Sequence, residues 1–308
     1  MTLGMMLAVQ YIIGQLNSPL MQIVASFYAM QDVKIALDRI HSVHSRDDEH
    51  GPEICTAPTD VGKTGISLRG VGFKYDPNSS AKVLDDVSLD IRVGEVTAVV
   101  GASGSGKSTL MKLMLGFYPP LEGRIEIDGN NVEQIDLQAW RKRCGVVMQT
   151  GVVFSDTIAR NVAIADENPD MDRLVEALRL ANLLDFVKRL ALGVETVIGP
   201  DGLELSQGQK QRILIARAIY RNPEYIFLDE ATNSLDSVNE RGIVENMAEF
   251  GKGRTMVIIA HRLSTVSHAD NIVVIDGGRI VETGNHAALI SRKGVYYNLV
   301  KNQLELGD

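Results

Sequence analysis

The sequence has few cysteines and no excess of basic residues. Its 308 residues include only Cys55 and Cys144, and neither belongs to a CxxC or Cys/His cluster. A disulfide framework and a zinc site are therefore excluded, and we expect two reduced thiols in a cytosolic setting. The formal net charge of −8 also argues against a nucleic-acid partner, because such proteins usually present a basic face to phosphates. The composition, 45% hydrophobic and 23% charged, excludes disorder and is typical of a chain with a sizeable core.

Charged side chains are absent from residues 1–31. About 20 apolar residues suffice to cross a bilayer core, so the stretch predicts a transmembrane helix. Polar residues such as Gln10, Gln15 and Asn17 interrupt it, which favours a helix that lines a protein-walled cavity over one surrounded by lipid. A hydrophobic interaction helix is the alternative. A signal peptide fits poorly, because no basic residue precedes the apolar part and no small-residue cleavage site follows it.

The next residues mark a domain boundary. Lys34, Arg39 and Arg46 indicate a cytoplasmic end for the helix, and an acidic stretch rich in proline and glycine then predicts a linker. We therefore expect residues 1–45 to be the C-terminal part of a transmembrane domain, 46–63 a linker and 64–308 a compact domain. Since one spanning helix cannot form a pathway, the chain is expected to be the C-terminal part of a longer protein.

The compact domain alternates strands and helices. Three segments, GISLRGVGFKY, VLDDVSLDI and GRIEIDG, alternate apolar and polar residues and predict an antiparallel sheet. The continuous apolar runs EVTAVV, YIFLD and TMVIIA predict parallel strands that are covered on both faces. Residues 157–221 carry mostly helical patterns. The sequence thus predicts an α/β fold with a parallel-sheet core, an antiparallel β subdomain and a helical subdomain.

A phosphate-binding motif follows the first continuous apolar run. Residues 101–109, GASGSGKST, match G-x-x-x-x-G-K-[ST] between a predicted strand and a predicted helix. Glycines let backbone N–H groups converge on phosphate oxygens, a lysine neutralises the β and γ oxygens, and a serine hydroxyl can bind Mg²⁺. The candidate nucleotide-binding residues here are Gly101, Ser103, Gly104, Ser105, Gly106, Lys107, Ser108 and Thr109.

Two carboxylates end the buried strand YIFLD. Asp229 is placed to hold Mg²⁺, and Glu230 to polarise a water for attack on the γ-phosphorus of a nucleotide. Beside a P-loop, this pattern predicts nucleotide hydrolysis rather than two solvated acids. The chain has no N-K-x-D guanine-reading motif, which favours ATP over GTP.

The stretch Leu205-Ser206-Gln207-Gly208-Gln209, followed by Lys210-Gln211-Arg212, predicts a second phosphate cradle at a helix start. It resembles the LSGGQ signature of the ATP-binding cassette (ABC) family, with Gln207 in place of the usual glycine. The resemblance implies that Ser206, Gly208 and Gln209 close over the nucleotide held by a second copy, in a head-to-tail dimer that binds two ATP. It also implies a P-loop NTPase cassette fold.

Further positions fall in the family's order. The resemblance implies that Tyr75 stacks on adenine, that Gln149 senses Mg²⁺ and faces the transmembrane part, and that Asp236 lies in the loop that crosses between protomers. It implies that His261 contacts the γ-phosphate. Catalysis would thus involve Glu230, His261 and Gln149, and Mg²⁺ would be held by Ser108, Gln149 and Asp229.

The layout of a helix, a linker and a cassette is similar to fused exporters, and the N-terminal stretch most resembles peptidase-containing bacterial peptide or bacteriocin exporters. Pro200 and Asp201 depart from the exporters' coupling-loop pattern. We expect an ATPase that drives export of a peptide across the bacterial plasma membrane, with its ATPase domain in the cytoplasm and any peptidase domain upstream. One alternative is a soluble ABC ATPase, against which the uncharged N-terminal 31 residues argue. The other is a nucleotide-binding regulator without hydrolysis, against which Glu230 and His261 argue.

Overall fold

The computed structural model describes residues 2–45, 64–76, 78–164, 166–231, 237–260 and 266–306. The chain divides into two compact units, residues 1–54 and 55–308. The expected linker, residues 46–63, lies outside the described residues, so the division at 45/46 and 63/64 stays a prediction.

The first unit contains one long helix, α1 (Leu3–His44), with Pro19 inside it. Large apolar side chains are exposed along its whole length, from Leu3 to Ile40. Among the described residues, no helix combines the length and the mean hydropathy needed to cross a membrane. The predicted long helix is confirmed, and glutamine, asparagine and serine side chains lower the hydropathy of its apolar run. The assignment of residues 1–45 to a transmembrane domain stays a prediction.

The second unit alternates strands and helices. The described strands are β1 (Ile66–Phe73), β2 (Leu84–Ile91), β3 (Val96–Val100), β4 (Glu122–Ile127), β5 (Asn130–Asn131), β6 (Cys144–Val147), β7 (Asp156–Thr157), β8 (Val197–Ile198), β9 (Tyr225–Asp229), β10 (Thr255–Ile259), β11 (Asn271–Asp276) and β12 (Arg279–Gly284). The described helices are α2 (Lys107–Met114), α3 (Leu137–Lys142), α4 (Ile158–Val162), α5 (Met171–Leu180), α6 (Leu184–Lys188), α7 (Gln207–Tyr220), α8 (Ser237–Gly251), α9 (His286–Arg292) and α10 (Val295–Leu306).

A mostly parallel sheet forms the centre of this unit. Within the described residues its strand order is β12-β11-β3-β10-β9-β6, and only β12 runs antiparallel to its neighbour. Successive residues of a strand point to opposite faces, and both faces are covered. Ile226 and Leu228 face a core shared with α5 and α7, whereas Tyr225 and Phe227 face one shared with α2 and α3. Burial on both sides explains the continuous apolar runs of these strands.

An antiparallel sheet packs over one of these two cores. Its order in the described residues is β2-β1-β4-β5, and β1 pairs with both β2 and β4. Alternate residues of β1, such as Ile66 and Leu68, are buried against that core, as the period-two pattern predicts. Together with the helices α4 to α7, which follow the short strand β7, this confirms the predicted fold class.

Asp128 joins the beginning of this unit to the parallel sheet. Its carboxylate accepts hydrogen bonds from the backbone N–H groups of Thr64 and Gly65, both at 3.1 Å, and from the Tyr225 hydroxyl at 2.9 Å. Arg143 donates to its other oxygen at 2.8 Å. Burial alone would raise the pKa of Asp128, but the bonds from Arg143, Gly65 and Tyr225 hold it below its usual value. The carboxylate is therefore a charged anchor inside the fold.

The carboxyl ends of three parallel strands bring the predicted site residues to one edge of the sheet. Gly101 follows β3, Gln149 lies two residues after β6, and Asp229 ends β9. In open α/β sheets, ligands bind at this edge.

Candidate functional site

The loop after β3 has a backbone that requires glycine. Gly101, Gly104 and Gly106 have φ values of 155°, 78° and 104°. A Cβ at Gly101 would lie 2.1 Å from the Ile275 carbonyl oxygen, and one at Gly106 would lie 2.6 Å from Leu84 Cδ2. Side chains other than hydrogen are thus excluded at two positions, and positive φ values orient neighbouring N–H groups as an anion-binding loop needs.

This loop leads into the N-terminus of α2 without a side-chain cap. Gly106 is the N-cap residue and its helix start has no side-chain hydrogen bond, so the N–H groups of the first turn keep their capacity to bind an anion. Ser105 Oγ is buried and has no hydrogen-bond partner among the described residues. The loop and helix start therefore fit the phosphates of a nucleotide.

Lys107 lies folded over the same loop. Its ammonium group donates hydrogen bonds to the carbonyl oxygens of Gly101 at 2.9 Å and Ala102 at 2.8 Å. The residue is only 6% exposed, and burial lowers the pKa of its ammonium group, which the negative charges of Glu230 and Asp229 oppose. A bound phosphate would supply the close anion that this buried ammonium lacks among the described hydrogen bonds.

Ser108 and Asp229 meet beside the loop. The Ser108 hydroxyl donates to Asp229 Oδ1 at 3.1 Å. Burial raises the pKa of the Asp229 carboxyl, and the hydrogen bond from Ser108 lowers it in part. Mg²⁺ prefers oxygen ligands and takes several from substrate phosphates and water, so one hydroxyl and one carboxylate next to a phosphate cradle fit it. Within the described residues, no cluster of three or more His, Cys, Asp or Glu side chains could hold a metal without such help.

Gln149 and Glu230 meet at the same edge. Gln149 Nε2 donates to Glu230 Oε2 at 2.9 Å. Glu230 has a φ of 51°, which is uncommon for a residue with a side chain, and its N–H bonds the Ile259 carbonyl oxygen at 3.0 Å. Such backbone strain persists where the surrounding structure holds it and is concentrated at functional sites. In this conformation the Glu230 carboxylate accepts the hydrogen bond from the amide of Gln149.

Tyr75 lies beside α2 with half of its surface exposed. Its hydroxyl is 3.1 Å from Thr109 Oγ1, and its ring makes edge contacts with Phe73 and Tyr118 at centroid distances of 5.0 and 5.3 Å. The Lys112 ammonium lies 5.9 Å from its ring centroid. The ring is therefore held in one orientation while 49% of the residue stays accessible.

The second predicted cradle lies at the start of α7. Ser206 caps the helix by accepting the N–H of Gln209 at 3.2 Å, and the Gln209 side chain accepts the N–H of Ser206 at 2.9 Å. This capping box fixes the first turn, where Gly208 lies. The described hydrogen bonds of these two side chains join Ser206 and Gln209 to each other.

Two predicted residues, Asp236 and His261, lie outside the described residues, and Ser103 is an exposed residue of the P-loop turn. Sequence reasoning did not single out Tyr118 and Lys112, which flank Tyr75, and no pattern in the sequence would have placed them there. It also passed over Arg217, a charged residue within the apolar run ILIARAIY of α7. That interruption of an apolar helix was the available indication.

The chain is similar to known proteins of one family. The family model described as ABC transporter matches residues 84–233. The leukotoxin export ATP-binding protein LtxB of Aggregatibacter actinomycetemcomitans is 39% identical over 305 residues, which is 99% of this chain and 43% of that protein. The toxin RTX-I translocation ATP-binding protein of Actinobacillus pleuropneumoniae is 39% identical over 306 residues, with the same coverage of 99% and 43%. The chain spans less than half the length of these curated relatives.

A solved structure is also similar. A bacterial Atm1-family ABC exporter with ATP bound superposes with a TM-score of 0.80 at 35% identity, covering 89% of this chain and 47% of that one. The resemblance predicted from the P-loop, the paired carboxylates and the LSQGQ stretch is thereby confirmed. The second unit of this chain contains an ATP-binding domain of the ABC transporter family.

Proposed function

We propose that this chain is the ATP-hydrolysing part of an ABC exporter. The observation that carries the proposal is the meeting, beside a glycine-rich phosphate loop, of Ser108 with Asp229 and of Gln149 with Glu230. A hydroxyl and a carboxylate suit a metal nucleotide, and a second carboxylate within reach of an amide suits a water that attacks phosphorus. A regulator that only binds nucleotide would not need the second pair.

The chemistry assigned to these residues is in-line hydrolysis. Water attacks the γ-phosphorus, the bond from that phosphorus to the β,γ-bridging oxygen breaks, and ADP and phosphate leave. Glu230 accepts a hydrogen bond from the water and takes up its proton, while Gln149 orients the Glu230 carboxylate. Lys107 and the N-terminus of α2 neutralise charge on the phosphate oxygens. Mg²⁺, held by Ser108, Asp229 and Gln149, would supply further neutralisation of the β and γ oxygens.

The active form proposed here is a head-to-tail pair of chains. The P-loop and the start of α7 are both suited to phosphate, and the described hydrogen bonds of the Ser206 and Gln209 side chains are to each other and not to the P-loop. Ser206, Gly208, Gln209 and Asp236 of one chain would complete the site built by the P-loop of the other. His261 and the stacking of Tyr75 on adenine belong to the same proposal.

ATP hydrolysis by this chain is proposed to drive export. The two curated relatives are named for leukotoxin export and RTX-I translocation, so a peptide or protein cargo is proposed for this chain as well. A transmembrane domain would be its partner, at the plasma membrane of a bacterium with the ATPase domain in the cytoplasm. The alternative of a soluble ABC ATPase is set aside because the relatives and the similar structure are transport proteins by name.

Mixing two damaged variants tests the paired site. Glu230→Gln removes the proposed base, and Ser206→Arg blocks the second cradle, so each variant alone forms only damaged sites. A mixed pair has one doubly damaged site and one intact site, and mixing should restore ATP hydrolysis that neither preparation shows. The matched control is Glu133→Gln, an exposed glutamate outside the site, whose turnover should equal that of the parent.

The measurement is phosphate release with Mg²⁺ and ATP at high protein concentration, with the parent diluted in parallel. Glu230→Gln alone should lower turnover by roughly 10²-fold and leave ATP affinity unchanged. The paired site is contradicted if the parent is monomeric and its rate per chain stays constant on dilution. It is also contradicted if the mixture stays inactive although the two variants associate. Turnover of Glu230→Gln within about threefold of the parent contradicts the role of Glu230.

A further inference from the structure

The segment of residues 149–161, which begins with Gln149, packs on the helix that carries the second cradle. A Cβ at Gly151 would lie 2.2 Å from Leu214 Cδ1, so the backbone of the segment touches α7 directly. Residue 217 lies one turn further along the same face of α7, since residues three apart are neighbours on a helix surface. The segment and the helix thus form one contact that begins next to Gln149.

Arg217 ties the segment to α7 by hydrogen bonds in several directions. Its Nη1 donates to the Val152 carbonyl oxygen at 3.0 Å, and its Nε donates to the Asn161 carbonyl oxygen at 2.8 Å. Its Nη2 reaches Asn161 Oδ1 at 3.4 Å, and its guanidinium carbon lies 5.7 Å from the Phe154 ring centroid. One side chain on α7 therefore holds both ends of the stretch from residue 152 to residue 161.

Asn161 makes that stretch a single unit. Its side-chain amide donates to the carbonyl oxygens of Phe154, Asp156 and Thr157 at 3.0, 3.2 and 3.0 Å, and its Oδ1 accepts the N–H of Phe154 at 2.9 Å. Asn161 is 1% exposed. Because the carbonyl and side-chain oxygens of Asn161 also accept hydrogen bonds from Arg217, one residue joins the whole stretch to α7.

Burying the charged guanidinium of Arg217 at this position costs free energy that an apolar side chain, if packing were the only role, would not cost. Arg217 is half-buried, burial lowers its pKa, and among the described residues no salt bridge joins it to a carboxylate. Its acceptors are uncharged oxygens. The N–H groups of the guanidinium are placed to donate to three separate oxygens, and these hydrogen bonds hold the side chain in one position. An apolar side chain could not make them.

We propose that Arg217 is a positioning residue for ATP hydrolysis that couples Gln149 to the signature helix α7. The argument rests on the proposed function. Gln149 contacts Glu230 in its own chain, Ser206 starts the helix that would close on a partner's nucleotide, and Arg217 links the segment that follows Gln149 to that helix. Movement of α7 on pairing is thereby transmitted to the amide that orients Glu230.

Three variants test the coupling. Arg217→Ala should lower the turnover number roughly tenfold while leaving the dissociation constant of a fluorescent ATP analogue within about twofold of the parent. Arg217→Lys keeps a cation with fewer donors, folds with less disturbance, and should be impaired to a smaller degree. The matched control is Arg173→Ala. Arg173 also contacts α7, through the Tyr220 carbonyl oxygen at 2.5 Å and the Tyr220 ring, and its described contacts do not reach residues 149–161.

A double-mutant cycle separates positioning from general loss of stability. If Arg217 acts through Gln149, Arg217→Ala should lower turnover no further once Gln149→Ala is present, so that the double variant equals Gln149→Ala alone. The proposal is overturned if the double variant loses turnover by the product of the two single losses. It is also overturned if Arg173→Ala loses as much turnover as Arg217→Ala.

Amide hydrogen exchange provides a readout that does not depend on hydrolysis. Exchange of the backbone N–H groups in residues 150–161 should quicken by about tenfold or more in Arg217→Ala and in part in Arg217→Lys, and stay unchanged in Arg173→Ala. A parent without ATPase activity contradicts the proposed function, whereas unchanged exchange in both Arg217 variants overturns this inference whether or not the parent hydrolyses ATP.

Discussion

Replacement of Tyr75 by alanine and by phenylalanine separates the two contacts of its side chain. The ring face is the part proposed to stack on adenine, and the hydroxyl meets Thr109 at 3.1 Å. Phenylalanine removes only the hydroxyl and keeps the edge contacts with Phe73 and Tyr118. Alanine removes the ring as well.

The structure allows the two losses to be estimated separately. Stacking of a base on an aromatic ring contributes about 1 to 3 kcal/mol, which corresponds to a loss of ATP affinity of roughly 5- to 150-fold in Tyr75→Ala. The hydroxyl makes one hydrogen bond inside the protein and none to the nucleotide in the proposed pose. Tyr75→Phe should therefore change the dissociation constant of ATP by less than about threefold. The lost hydrogen bond contributes about 1 kcal/mol, and most of that loss lowers the stability of the protein rather than the affinity for ATP.

The assay is titration of the protein with a fluorescent ATP analogue. The titration is repeated with a nucleoside triphosphate that carries a different base. Tyr118→Ala is the control for ring orientation, since it removes an edge contact to Tyr75 without removing the stacking face. Its effect should lie between those of the two Tyr75 variants. Tyr75→Ala with a dissociation constant within twofold of the parent would refute base stacking. Tyr75→Phe as weak as Tyr75→Ala would show that the hydroxyl, not the ring, is the binding element.

Three further changes follow from the described contacts. Asp128→Asn should lower the free energy of unfolding in urea by about 1.5 to 3 kcal/mol, because Arg143 loses its bond to a buried carboxylate and keeps only its ion pair with Glu224. An unchanged free energy of unfolding contradicts this. Since the pKa of Asp128 is lowered on folding, its stabilising contribution is present above about pH 4 and is lost as the pH falls through the folded-state pKa, so the variant should show a flatter acid limb than the parent. Lys107→Ala should weaken both ATP binding and hydrolysis, measured by titration and phosphate release, and unchanged affinity would remove the lysine from the phosphate site. Gly106→Ala should abolish ATP binding and destabilise the fold by about 1 to 3 kcal/mol. The control is Gly253→Ala, where a Cβ meets nothing within 4 Å, so that only the cost of a positive φ remains. It should leave ATP binding unchanged.

The parts of the site that are contiguous in the chain could be predicted from the sequence. The loop at residues 101–109 contains its glycines, its lysine and its helix start within one stretch, and backbone conformation there depends on those residues themselves. The strands were predictable for a similar reason, because alternate burial and two-sided burial leave different apolar patterns. The capping box at Ser206 and Gln209 is equally local.

The helix at the N-terminus shows the limit of composition. Lack of charge over residues 1–31 predicted a helix that crosses a membrane. The structure confirms the helix, and no described helix has both the length and the mean hydropathy of a membrane span. Helix formation needs good local propensity, whereas crossing a bilayer needs a high mean hydropathy over the whole window, which scattered polar side chains reduce.

Sequence by itself determined the phosphate loop, the strand types and the family, since each is encoded by residues that are neighbours along the chain. Only the tertiary structure decided which side chains meet across it. Ser108 and Asp229 are 121 positions apart, Gln149 and Glu230 are 81 apart, and Arg217 reaches a segment 56 to 65 positions away. Such pairs form because parallel strands β3, β9 and β6 end at one edge of a sheet and α7 packs on the segment after β6, and these arrangements depend on packing of the whole core, which no local pattern specifies.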